Sequence, residues 1–140
     1  MMQLDDETFL ARFRNQTLSP EQFGHRAHLR MAWLYLKRYP LADACAYMCA
    51  DTRAFAESLG APGKYHHTVT EALMRIVDLR THADTSKPMD SFEDFLAANP
   101  DLQADARGLL ARHYSDECLN SDTARVRWVE PDLVPIDRAE

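Results

Sequence analysis

An all-α chain is what this sequence predicts, a compact bundle of about five to six helices ending in an extended C-terminal tail. Apolar residues recur at three- and four-residue spacing along most of the chain. Alternating strand patterns are scarce, and the helix breakers fall between the periodic stretches. At 140 residues the chain suits one core. Residues 1–140 therefore read as a single helical domain, with an N-terminal helix (1–18), histidine-bearing helices (19–80), and C-terminal helices with the tail (81–140).

A first helix over about 5–14 puts Phe9, Leu10 and Phe13 on one face. Ser19-Pro20-Glu21-Gln22 carries helix-start chemistry: an N-cap serine, a proline suited to the first turn, and a glutamine placed to close a capping box. That start either runs into, or breaks at Gly24 before, a helix over 25–38, where His28, Leu29, Ala32, Trp33, Tyr35 and Leu36 keep helical spacing. Pro40 ends it and suits the first turn of a third helix, 41–59. Its stripe runs through Ala42, Cys45, Met48, Cys49, Thr52, Phe55, Ala56 and Leu59, and Gly60 is a natural stop.

Ala61-Pro62-Gly63 connects to a fourth helix over about 65–79, with Val69, Leu73, Ile76 and Val77 as core positions and His66 and His67 in its first turn. Residues 80–90 turn polar and read as a loop. Ser91 opens a short helix with Phe92, Phe95 and Leu96, and Asn99-Pro100-Asp101 opens another carrying Leu102, Ala106, Leu109 and Leu110. Ser121-Asp122 starts a last turn through Trp128. Pro131 and Pro135 keep the tail extended, because each fixes its own φ and restricts the residue before it.

Composition narrows the function classes. Apolar residues make up 46% and charged residues 27%, which places the chain with folded globular proteins rather than disordered ones. The net charge is −6 and no basic stripe emerges, so a nucleic-acid partner is not expected. The start Met1-Met2-Gln3-Leu4-Asp5-Asp6 lacks the basic and apolar regions of a signal peptide, and no run approaches the roughly 18 apolar residues of a membrane span. A cytoplasmic protein without a membrane partner is the expectation. Three cysteines make an odd number and no disulfide framework.

The concentrated chemistry is histidine. His25 and His28, three residues apart on a helix, share a face and can converge on one point. Lys64-Tyr65-His66-His67-Thr68 sits at a helix N-terminus, where free N–H groups favour anions. An up-down-up helix order would bring both clusters to one end of the bundle. His25, His28 and His66 or His67 would then form a three-imidazole set with an open position, suited to a divalent metal such as zinc or iron, with Glu71, Glu57 or Asp78 as carboxylate partners. The same histidines also suit a metal-free polar pocket working as acid, base or anion donor, or purely structural roles, since the more specific H-E-x-x-H pattern is absent.

Cys45 and Cys49 are expected in the core, and Cys118 has no basic neighbour to activate its thiol. Arg125, Arg127 and Trp128 suit an anchor for the tail, with Trp128 packing it onto the core. His82 and His113 are expected on the surface.

Three motifs in order resemble those of an uncharacterised family of small bacterial all-helical proteins. They are Phe23-Gly24-His25-Arg26-Ala27-His28-Leu29, Lys64-Tyr65-His66-His67-Thr68, and the terminal Pro131-Asp132-Leu133 with Pro135, matching F-x-H-x-x-H-L, K-Y-H-x-T and P-D-L-x-P. The resemblance spans about residues 20–136 and implies shared polar positions at His25, His28 and His66, with Lys64, Tyr65 and Thr68 around the last. The family often places glutamate where this chain has His67.

The expected function is a histidine-lined pocket binding a metal ion or small polar ligand, with metal-assisted or acid/base chemistry on it. His25, His28 and His66 would act there, assisted by Tyr65, Lys64 and Glu71. The competing expectation is a non-enzymatic interaction module, in which the helices supply a homodimer face and the histidines hold the core.

Overall fold

Short oxygen-bearing side chains start most of the helices, and their positions set the architecture. The computed structural model describes residues 5–82 and 91–136; most of the loop expected over 80–90 lies outside the described residues. Among the described residues there are nine α-helices, more than the expected five to six, and no strand. None of these helices is long and apolar enough to cross a membrane. The chain divides into two compact units, residues 1–65 and 66–140.

The first unit holds α1 (Asp6–Arg14), α2 (His25–Arg38) and α3 (Leu41–Ser58), which pack on one another. Asp5 caps α1 by accepting from Thr8 N at 2.7 Å. Asp6 and Glu7 in its first turn and Arg12 and Arg14 in its last complement the helix dipole. Both α1 and α3 end in paired carbonyl-capping bonds. Gly60, at φ +72°, closes α3 through Gly60 N to Glu57 O and Ala61 N to Ala56 O. Gln16 does the same for α1 at φ +61°, a left-handed conformation that costs a non-glycine residue about 1–2 kcal/mol.

The core of this unit is aromatic. Phe13 stacks on Phe23 at 5.1 Å, and Phe55 meets Phe23 edge-on at 4.5 Å. Arg30 is buried because its guanidinium lies over the Phe9 ring at 4.2 Å and bonds Asp6 at 2.7 Å. Cys45 and Cys49 are buried, as expected. Of the expected α3 stripe, Ala42 and Leu59 are exposed and Ala44 is buried instead. The Ser19–Gln22 signal makes a single 3₁₀ turn, with Gln22 Oε1 accepting from Ser19 N at 3.1 Å, and the chain restarts at His25 after Gly24. The reason is local: no apolar repeat follows Gln22 to extend the turn before the glycine.

The second unit consists of α4 (His67–His82), α5 (Phe92–Ala98), α6 (Pro100–Ala104), α7 (Ala106–His113), α8 (Asp116–Leu119) and α9 (Asp122–Val126). Among the described residues after α4 no helix exceeds eight residues, and side chains cap most of them. Ser91, Asp105, Ser115 and Ser121 accept from Asp94, Gly108, Cys118 and Ala124 N–H groups. Asp105 splits the expected single helix after Pro100 in two, because its carboxylate competes for the backbone and restarts the helix at Ala106. Val69 and Leu73 are half-buried; Thr68, Ala72, Met74, Ile76 and Val77 form the buried set of α4. Arg80 forks onto Asp101 at 3.0 and 2.9 Å and also bonds Asn99, tying α4 to the α5–α6 junction.

The tail beyond α9 is extended, as the prolines require, and is strapped down along its length. Thr68 Oγ1, fully buried, donates to Arg127 O at 2.7 Å and accepts from Val129 N at 3.2 Å. Tyr114 donates to Val129 O at 2.6 Å. Asp132 accepts from Ser115 N at 2.8 Å and Ser115 Oγ at 2.6 Å, and Leu133 N donates to His113 O.

Candidate functional site

His25 and His28 occupy the first turn of α2, in the first unit. His28 Nδ1 lies 3.0 Å from Gly24 O, and since a carbonyl only accepts, the proton belongs on Nδ1 and Nε2 carries the lone pair. Its ring packs against Phe23 in a tilted arrangement, centroids 4.0 Å apart. Burial lowers its pKa, with the nearby His25 acting in the same direction against the Gly24 carbonyl, so His28 is neutral at pH 7. A neutral imidazole whose one nitrogen donates to a carbonyl is the form in which histidine ligates metals. His25 is exposed.

His66 belongs to the second unit and is used differently. Its Nδ1 accepts from Val69 N at 3.2 Å, so the imidazole is the side-chain cap of α4, while its carbonyl accepts from Thr70 N. Its Nε2 donates to Leu119 O at 2.7 Å, reaching α8 from the start of α4. Both ring nitrogens are engaged, and a metal at His66 would have to displace one of these bonds. Helix α4 accordingly begins at His67, with His66 as its cap, rather than near residue 65. Lys64 ends a 3₁₀ turn and is exposed, and Tyr65 is half-buried.

His67, which the sequence offers only as an alternative to His66, makes a carboxylate contact. Its Nε2 is 3.2 Å from Glu71 Oε1, one turn along α4. Arg75, one turn further, donates to Glu71 Oε2 through Nε at 3.0 Å and a terminal nitrogen at 2.7 Å. The Arg75 guanidinium lies over the Trp128 ring at 4.2 Å, and the Trp128 indole N–H donates to Glu130 at 2.8 Å. The i, i+4, i+8 spacing of His67, Glu71 and Arg75 was available in the sequence as a signal. Glu57 instead pairs with Arg53, and Asp78 lies beside the exposed His82, whose Nδ1 bonds Asp78 O at 2.8 Å.

Sequence reasoning also missed a polar network in the first unit. Tyr35, its ring fully buried, accepts from Arg14 Nε at 3.0 Å and donates to Asp51. Arg14 also donates to Tyr39, and its guanidinium lies 5.0–5.9 Å from the ring centres of Tyr35, Tyr39 and Tyr47. Burial and the Asp51 carboxylate push the Tyr35 phenol well above its ordinary range, which keeps it a neutral donor rather than a nucleophile. Desolvation and nearby Asp132 likewise raise the Cys118 thiol, consistent with an unactivated cysteine.

No protein-family model, no curated protein and no solved structure matches this chain.

Proposed function

We propose that the chain binds a divalent metal ion, zinc or iron, or a small polar ligand through His28 and His25, with metal-assisted or acid/base chemistry as the use of the site. The observation that carries this reading is the His28 tautomer: Nδ1–H is spent on Gly24 O, the ring is neutral, and Nε2 is the nitrogen left to ligate. His25 adds a second imidazole one turn away, the spacing at which a helix chelates an ion.

A second reading, the non-enzymatic module with structural histidines, is favoured by a different observation. His66, His82 and His113 each bond a backbone carbonyl, and His66 spends both nitrogens on backbone groups. Calorimetric titration of metal-free protein with zinc separates the two. The proposal expects stoichiometric uptake that is lost in His28→Ala and weakened at least tenfold in His25→Ala. No uptake by the wild type, with the alanine variants merely less stable, sinks the metal-binding form of the proposal.

A further inference from the structure

The strapped tail and the His67–Glu71–Arg75 row meet at Trp128, and no part of the proposed function uses either. Three contacts run in sequence through the second unit. Trp128 covers the Arg75 guanidinium at 4.2 Å, Arg75 holds Glu71 Oε2 through two nitrogens, and Glu71 Oε1 faces His67 Nε2 at 3.2 Å. The tail is anchored on both sides of the tryptophan, by Thr68 to Arg127 O and Val129 N and by Ser115 to Asp132, while Tyr114 packs edge-on to the indole at 6.4 Å.

We infer that Trp128, held by the C-terminal strap, is a positioning residue for His67: it fixes Arg75 on Glu71, and Glu71 fixes the imidazole. Entropy and geometry both favour this arrangement. Arginine on an open helix surface samples many rotamers, and an i, i+4 pair alone stabilises by only about 0.2–0.5 kcal/mol. An aromatic face over the guanidinium restricts it to the geometry in which two N–H groups reach one carboxylate oxygen. The carboxylate so held leaves its other oxygen aimed at the histidine. A carboxylate-oriented imidazole is the usual arrangement for proton transfer or metal ligation, so the strap would set the orientation of a reactive group from far along the chain.

The test uses the full chain and substitutions that separate the cation–aromatic contact from bulk. In proton–nitrogen NMR of the wild type, the Arg75 Nε–H should be slowly exchanging, and the His67 ring should show a proton contact to the Glu71 side chain. Trp128→Tyr should keep both. Trp128→Leu, apolar and without a π face, should speed Arg75 Nε–H exchange at least tenfold and weaken the His67–Glu71 contact. Both features unchanged in Trp128→Leu overturn the inference. Should that variant fail to fold, Ser115→Ala, at a half-buried anchor, replaces it with Val129 amide exchange as the marker of strap release. Faster Arg75 Nε–H exchange together with faster Val129 exchange supports the inference, and an Arg75 signal that stays at its wild-type rate overturns it.

Discussion

The two units reach stability by different routes. The described part of residues 1–65 forms three α-helices of 9, 14 and 18 residues whose buried stripes meet in an aromatic core, and the buried Arg30 is matched by Asp6. Among the described residues, 66–140 have one helix of comparable length and then five of four to eight residues. Helices that short do not persist in water on their own, so caps and side-chain bonds to a folded-back tail hold them. Packing dominates in the first unit, and polar geometry carries a larger share in the second.

The difference is open to direct attack. Phe55→Ala, which empties the centre of the aromatic cluster, should be the most damaging change, costing about 3–5 kcal/mol in chemical denaturation. Thr68→Val keeps the shape but leaves Arg127 O and Val129 N without their partner, and should cost about 1–3 kcal/mol. Hydrogen exchange should show Val129 released in that variant. If Thr68→Val matched Phe55→Ala in cost, the division between packing and polar geometry would be wrong.

Acid should act on the strap. Ser115 holds the Asp132 carboxyl below its ordinary range, through hydrogen bonds from its hydroxyl and backbone N–H. A group with a depressed folded pKa contributes stability that is complete above its unfolded value, about 3.9, and is lost as pH falls through the folded one. Protection of the Leu133 amide should therefore decline below about pH 4, and Asp132→Asn should show the loosened state at neutral pH. The smallest expected effect lies at Gln16: Gln16→Gly relieves a left-handed residue and should stabilise by up to about 1 kcal/mol, read as a higher denaturation midpoint.

How much of this was legible in the sequence follows the same division. The core of α2 and the Gly60 stop were readable, because long amphipathic helices print their period on the chain. The break at Asp105 and the four-residue α8 were not, since one capping side chain decides each and a serine or aspartate occurs in many places that cap nothing. At the candidate site, the HxxH spacing correctly placed His25 and His28 on one turn. The cap formed by His66 and the Glu71 partner of His67 depend on where α4 begins, and a start set one or two residues early hides both. The P-D-L motif became intelligible only once Ser115 was seen to receive Asp132, a contact between residues 17 apart in sequence.

His28 and His66 carry the contrast between the units to the level of single protons. The geometry puts the proton on Nδ1 in His28 and on Nε2 in His66. A long-range proton–nitrogen NMR spectrum of the histidine rings near pH 7.5 reads both at once. Opposite tautomers, with His28 as the Nδ1–H form, are the predicted result. A His28 ring protonated on Nε2 would leave no ligating nitrogen on that side and contradict the proposed metal or ligand site.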